Sequence, residues 1–195
     1  LNLYLRMMSP REVYLSRETE FSGSAERLKK LSDRLSMARL AAFAGGLVLF
    51  AVLLSFSVIA AVVTLAVALV LFAWLVIKYE TTEKSRKRYL HLAEINRLEL
   101  KCLEGDFSGF KSGEEYAERD HPYSYDLDIF GKASLFQYMC RTTSKPASDR
   151  LAEYLKQPGT LEEILLRQEA VAELQPLTDW RQELMTLGYL NAGAG

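Results

Sequence analysis

Residues 40–77 read LAAFAGGLVLFAVLLSFSVIAAVVTLAVALVLFAWLVI, and the fold turns on how this stretch is read. It contains no Asp, Glu, Lys, Arg, His, Asn, Gln or Pro. As one helix it would run about 57 Å at roughly 1.5 Å rise per residue. That is nearly twice the hydrocarbon core of a bilayer, about 30 Å. Two helices of about 17–20 residues match that thickness instead. The most polar point is Ser55-Phe56-Ser57, which places the turn there even though it lacks Gly, Pro and Asn. A hairpin that tight leaves few backbone groups unbonded in lipid.

The flanks agree with a hairpin. Arg27, Lys29, Lys30, Arg34 and Arg39 precede the apolar run against Glu26 and Asp33. Lys78, Lys84, Arg86, Lys87 and Arg88 follow it against Glu80 and Glu83. Basic residues favour the cytoplasmic face, so two basic ends require an even number of spans with both termini cytoplasmic. Trp74 and Tyr79 fall where amphipathic rings favour the interface. The run is too long and too far from the N-terminus for a cleaved signal peptide. The competing reading is a buried hairpin of a soluble protein, but soluble core helices seldom run so long without a polar face. With no ionisable group inside, the segment has no proton relay or ion path; it reads as an anchor for a lipid bilayer, not a transporter. Gly45-Gly46 is not a GxxxG motif and receives no weight.

The 195 residues carry 24 Lys+Arg and 25 Asp+Glu, so no global basic field argues for nucleic-acid binding. Cys102 and Cys140 match no metal spacing and read as free thiols. The charge pattern divides the chain into a cytoplasmic N-terminal helix (1–38), a transmembrane hairpin (39–78), a second cytoplasmic helix (79–104), a connector (105–133) and a helical core (134–195). The expected fold class is all-α. Ser9-Pro-Arg-Glu12 opens the first helix, with Leu28, Leu31 and Leu35 at helical spacing. The second continues past the apolar run with Leu92, Ile95, Leu98 and Leu103, and the two are expected to extend the hairpin as an antiparallel pair. The chain starts on Leu1 and ends on Asn191-Ala-Gly-Ala-Gly195, which leads us to expect a piece of a longer product with Met7 or Met8 as a natural start.

The connector contains Gly105-Asp-Phe-Ser-Gly109-Phe-Lys-Ser112. A phosphate-binding loop needs four residues between its glycines and Lys directly after the second; here three intervene and Phe110 displaces the Lys, so ATP binding is not expected. His121, Asp126 and Asp128 fit no standard metal spacing. Beyond them, Ser134-Leu-Phe-Gln137 and Thr160-Leu-Glu-Glu163 have the capping-box pattern. Ser144-Lys-Pro146 opens a helix whose expected buried face is Ala147, Leu151, Tyr154 and Leu155. The next places Leu161, Ile164, Leu165, Gln168, Val171 and Leu174 on one stripe, and the last aligns Trp180, Leu184 and Leu187. No nucleophile stands beside a base, and the two histidines, His91 and His121, lie outside these helices, so no catalytic residue is assigned.

Several pieces then resemble a known family in order. Asp126-Leu-Asp-Ile-Phe-Gly-Lys-Ala-Ser-Leu-Phe-Gln137, Arg141-Thr-Thr-Ser144, Arg150-Leu-Ala-Glu-Tyr-Leu155, Pro158 and Leu166-Arg-Gln-Glu-Ala-Val-Ala-Glu-Leu174 are similar to the opening of the helical core, or lever, of MutS-family DNA mismatch-repair proteins. The resemblance covers residues 121 to 180. It implies a membrane-anchored MutS-like protein that binds DNA, with ATP and Mg²⁺ held by a C-terminal P-loop domain through which two copies form a homodimer. It also departs from the family. Ala147 stands where the family usually has Gly, Cys140 where Asn or Asp is common, and neither a mismatch-reading Phe-x-Glu element nor a Walker motif is present. No cofactor, metal or DNA-contact residue is therefore assigned, and this chain is not expected to be an enzyme. The alternative is a membrane-tethered scaffold that recruits protein partners through its helices.

Overall fold

The computed structural model describes residues 9–192; the expected start at Met7 or Met8 and the last three residues lie outside them. The described residues are all-helical: α1 (Pro10–Leu54), α2 (Val58–Leu103), a 3-10 turn (Glu114–Tyr116), α3 (Leu135–Met139), α4 (Lys145–Lys156), α5 (Leu161–Leu174) and α6 (Thr178–Ala192). Two compact units form among the described residues, one of residues 21–90, the other of residues 9–20 together with 91–192.

α1 begins as its sequence dictates. Ser9 Oγ accepts from Glu12 N at 3.3 Å and Glu12 Oε2 accepts from Ser9 N at 2.7 Å, with Pro10 at the first helical position. The helix stops at Leu54, where the amides of Ser55, Phe56 and Ser57 turn back onto Val52 and Leu53 carbonyls. Ser57 then opens α2, its Oγ accepting from Ala60 N at 3.4 Å. The Ser-Phe-Ser turn is where the polarity of the run placed it.

Within the 21–90 unit the helices pair antiparallel. Phe21 meets Tyr89 at 6.1 Å between ring centroids, Ser32 Oγ donates to Glu83 at 3.1 Å, and Phe43 meets Phe72 at 5.9 Å. The covered positions recur every seven residues: Ala25, Ser32, Arg39 and Gly46 on α1, Ala61, Ala68, Leu75 and Thr82 on α2. That is the spacing by which two helices keep one seam facing each other. Of the leucines at helical spacing, Leu28 and Leu35 are half-buried, and Leu31 points to solvent, off the seam. Gly46 needs more weight than its sequence context suggested. A Cβ there would lie 2.6 Å from that of Ala68, so the glycine sets how closely the arms approach.

In the other unit the nominal connector supplies much of the core. Ile129 and Phe130 pack with Phe136, Cys140 and Ala152, and the Tyr116 ring lies tilted against that of Phe136 at 5.3 Å between centroids. Gly113, at φ 68°, is in a conformation that L side chains rarely adopt, and its missing Cβ leaves room for the Phe136 ring. On α4 the buried residues are Ser148 and Ala152, flanked by half-buried Leu151 and Leu155, while the expected Ala147 and Tyr154 are exposed. Small side chains let the helix sit close, and Tyr154 instead stacks under the Arg167 guanidinium at 3.7 Å. α6 likewise buries Gln182 and Thr186 rather than the aligned Trp180, Leu184 and Leu187, and α5 buries none of its apolar stripe.

Candidate functional site

Two surfaces stand out, one in each unit. The first is an apolar belt. Helices α1 and α2 are each long and apolar enough to cross a membrane, and none of the most apolar window of α1 and 11% of that of α2 is buried. A core helix of a soluble protein hides most of such a window. Here Phe43, Val48, Phe56, Ile59, Val70 and Trp74 all face outward. The belt ends in a basic collar. Arg39 lies over the Tyr79 ring at 5.1 Å, and Arg86 pairs with Glu83, so the charges at seam positions are answered inside the hairpin. Hydrogen bonding from Arg86, opposed by burial and helped by Ser32, holds the Glu83 carboxyl below its ordinary range.

The second is the turn Arg141-Thr142-Thr143, where each side chain meets a different helix. Arg141 Nε and Nη2 donate to the Glu99 oxygens of α2 at 2.6 and 3.1 Å. Its Nη1 donates to the Tyr138 carbonyl at 2.7 Å, and the guanidinium lies 3.6 Å from the centre of the Phe110 ring. Planar bidentate pairing and ring stacking together are what a guanidinium provides and an ammonium does not. Thr142 Oγ1 is 2.6 Å from Ser148 Oγ on α4. Thr143 fills the notch left by Gly188 on α6, where an added Cβ would lie 2.6 Å from the Thr143 Cβ. α6 is further held by a buried polar knot: Gln182 and Asn96 exchange amide hydrogen bonds at 2.8 and 3.0 Å, and Arg17 Nε donates to Gln182 Oε1 at 3.0 Å. Burial, and then the nearby Glu99 carboxylate, pushes the Tyr14 phenol up.

No family model matches the chain, and no curated protein or solved structure matches it either. The chemistry therefore rests on the residues. The Gly105–Ser112 loop lines a cavity of about 490 Å³ with Lys132 and Gln137. Its Asp106 carboxylate accepts from Ser108 N and Oγ at 3.1 and 2.6 Å, a negative group where a phosphate cradle needs donors. His121 is a clasp: Nε2 contacts the Lys156 carbonyl at 3.1 Å while Nδ1 accepts from Ser124 N at 3.2 Å. Asp126 and Asp128 are exposed, and among the described residues no group of three His, Cys, Asp or Glu could hold a metal ion. Cys102 and Cys140 are unbridged, and His91 stacks on Tyr189 at 5.5 Å.

Local signals in the lead-in to α3 are half right. Ser134 Oγ accepts from Gln137 N at 3.2 Å, but Gln137 Oε1 accepts from Ala133 N at 2.8 Å instead of closing onto Ser134 N. Ala133 sits at φ 58°, which swings its amide under the Gln137 side chain. Thr160 and Glu163 form the complete reciprocal box. No local pattern signals the Arg141–Glu99 staple, the Asn96–Gln182 knot or the Gly188 notch, because each joins residues more than forty positions apart.

Proposed function

We propose that this chain is the membrane anchor and core/lever segment of a MutS-like DNA-binding ATPase acting in mismatch repair or DNA-structure recognition. The hairpin inserts as two transmembrane helices, and the basic collar keeps both ends, and both termini, in the cytoplasm. The observation that carries insertion is the belt itself, since a soluble protein does not leave an apolar surface of that extent in water. What supports the lever is the Arg141-Thr142-Thr143 junction, which lies in the stretch that resembles the MutS core. A displacement of α4 or α6 reaches α2 through direct side-chain contacts there. On the same reading, ATP, Mg²⁺ and homodimerisation belong to a C-terminal P-loop domain of the complete protein, and DNA is bound through that complete protein.

The test is ATP hydrolysis by the complete, detergent-solubilised gene product with and without duplex DNA. DNA-stimulated turnover supports a tethered motor, and higher turnover on mismatched than on matched duplex assigns it to repair. No response to nucleotide or DNA refutes it. One observation then favours a membrane-tethered helical scaffold without a DNA role: Leu161, Leu165 and Val171 of α5 and Trp180, Leu184 and Leu187 of α6 are exposed, a surface suited to protein partners.

A further inference from the structure

We infer that the basic collar is a recognition surface for anionic phospholipids, so that the anchor gathers negatively charged headgroups around it in the leaflet it occupies. The inference rests on the membrane reading and adds a choice of lipid to it.

The direction in which the charges point carries the argument. At the seam, Arg39 is spent on the Tyr79 ring, and Glu83 is taken by Arg86 and by Ser32 at 3.1 Å. Glu26 pairs with Lys30 at 3.3 Å along one face of α1. The collar's remaining exposed carboxylates are Asp33 and Glu80, set against exposed Arg27, Lys29, Arg34, Lys78, Lys84 and Lys87. Two of the collar's four carboxylates are thus paired, and the six exposed cations set against the two that remain leave a cationic surplus facing outward.

Position then selects the partner. Lys78 directly follows the last belt residue, Ile77. Arg34 and Lys84 stand about 10 Å beyond the belt at roughly 1.5 Å rise per residue. The headgroup layer itself extends about 5–8 Å beyond the hydrocarbon core, so all three cations lie within a few ångströms of it, inside the Debye length of about 8 Å. Arg27, Lys29 and Lys87 lie about 15 to 20 Å out and act more weakly. A nucleic acid or acidic protein would reach the inner three only through the headgroups already there. One cation at that depth favours an anionic over a zwitterionic lipid about fivefold.

The full chain carrying Trp180→Phe retains Trp74 as its single tryptophan, four positions before Lys78. It is reconstituted into vesicles of phosphatidylcholine and phosphatidylglycerol, with one or the other brominated on the acyl chain close to the headgroup. Brominated phosphatidylglycerol is expected to quench Trp74 as though enriched about fivefold. The enrichment falls towards one at about 1 M salt, where the Debye length is about 3 Å. It also falls towards one in the triple variant Arg34→Gln, Lys78→Gln, Lys84→Gln, whose side chains are exposed. The outer triple variant Arg27→Gln, Lys29→Gln, Lys87→Gln keeps most of it. Equal quenching by both lipids at low salt, or enrichment that survives the inner triple variant, overturns the inference while leaving the anchor in place. Tight binding of a fluorescent duplex to the reconstituted collar without lipid preference also overturns it. Absence of quenching by either lipid refutes the membrane reading, and the lipid choice with it.

Discussion

Replacing Gly188 by Ala tests the junction most directly. The new Cβ would lie 2.6 Å from the Thr143 Cβ and 3.3 Å from its Cγ2, and closer still to Oγ1. Rotation about χ1 of Thr143 moves Oγ1 and Cγ2 away but leaves Cβ where it is. Two carbons in contact need about 3.5 to 4.0 Å, so the backbones must part by about 1 Å. Overpacking of this kind costs about 1–3 kcal/mol. Parting α6 from the turn also strains the buried Asn96–Gln182 exchange, and a typical hydrogen bond contributes about 1 kcal/mol. Against this, Ala in a helix interior gains about 1 kcal/mol over Gly. The net expectation is a loss of about 2 kcal/mol, or roughly 4–8 °C in Tm for a chain of this size. The assay is thermal unfolding of the detergent-solubilised Trp74→Phe chain, followed by the fluorescence of Trp180 on α6. Thr143→Ala should not rescue Gly188→Ala, because it retains the offending Cβ; Thr143→Gly should recover most of the loss. Gly23→Ala is the control, since nothing lies within 4 Å of its added Cβ. It should raise stability by about 0.5–1 kcal/mol. If Gly188→Ala is as stable as the parent, or gains like Gly23→Ala, the close packing of α6 on Thr143 is refuted.

Gly46→Leu is expected to force the arms of the hairpin apart, whereas Gly45→Leu, with open space around it, is not. The readout is disulfide formation between Phe43→Cys and Phe72→Cys, and equal yields in the two backgrounds would contradict the seam. Arg141→Lys removes the fork to Glu99 and the stacking on Phe110, and should cost about 2 kcal/mol by the Trp180 assay, discounted from the roughly 3–5 kcal/mol of a fully buried pair. Full retention of stability would show that the staple carries no load. Because Arg86 and Ser32 lower the carboxyl pKa of Glu83 in the folded chain, its contribution is present above the ordinary glutamate value of 4.5 and is lost as pH falls below it. The 21–90 hairpin should loosen on acidification, measured by amide exchange around residue 83, and Glu83→Gln should be flatter with pH; an unaltered acid response there would remove Glu83 from the account.

The sequence was most informative where one short segment settles the matter. Apolarity from Leu40 to Ile77 dictated two helices, and Ser55-Phe56-Ser57 placed the turn. Ser9 with Glu12 and Thr160 with Glu163 marked helix starts, because a capping box needs only four neighbouring residues. It misled where burial was inferred from apolar spacing. Val171, Leu184 and Tyr154 are exposed, whereas Ser148, Gln182 and Thr186 are buried, because close helix approach and paired amides can replace large apolar side chains.

By itself, then, the sequence determined the helical class, the antiparallel hairpin and its turn, since hydrophobic length and local capping are properties of contiguous residues. Only the tertiary structure decided which residues form the seven-residue seam and that Gly46 and Gly188 are contact points. It alone brought Arg141, Thr142 and Thr143 each to a different helix. Those depend on which surfaces meet across distant parts of the chain, and on whether a polar group such as Gln182 finds its partner there, which a periodicity along one helix does not encode.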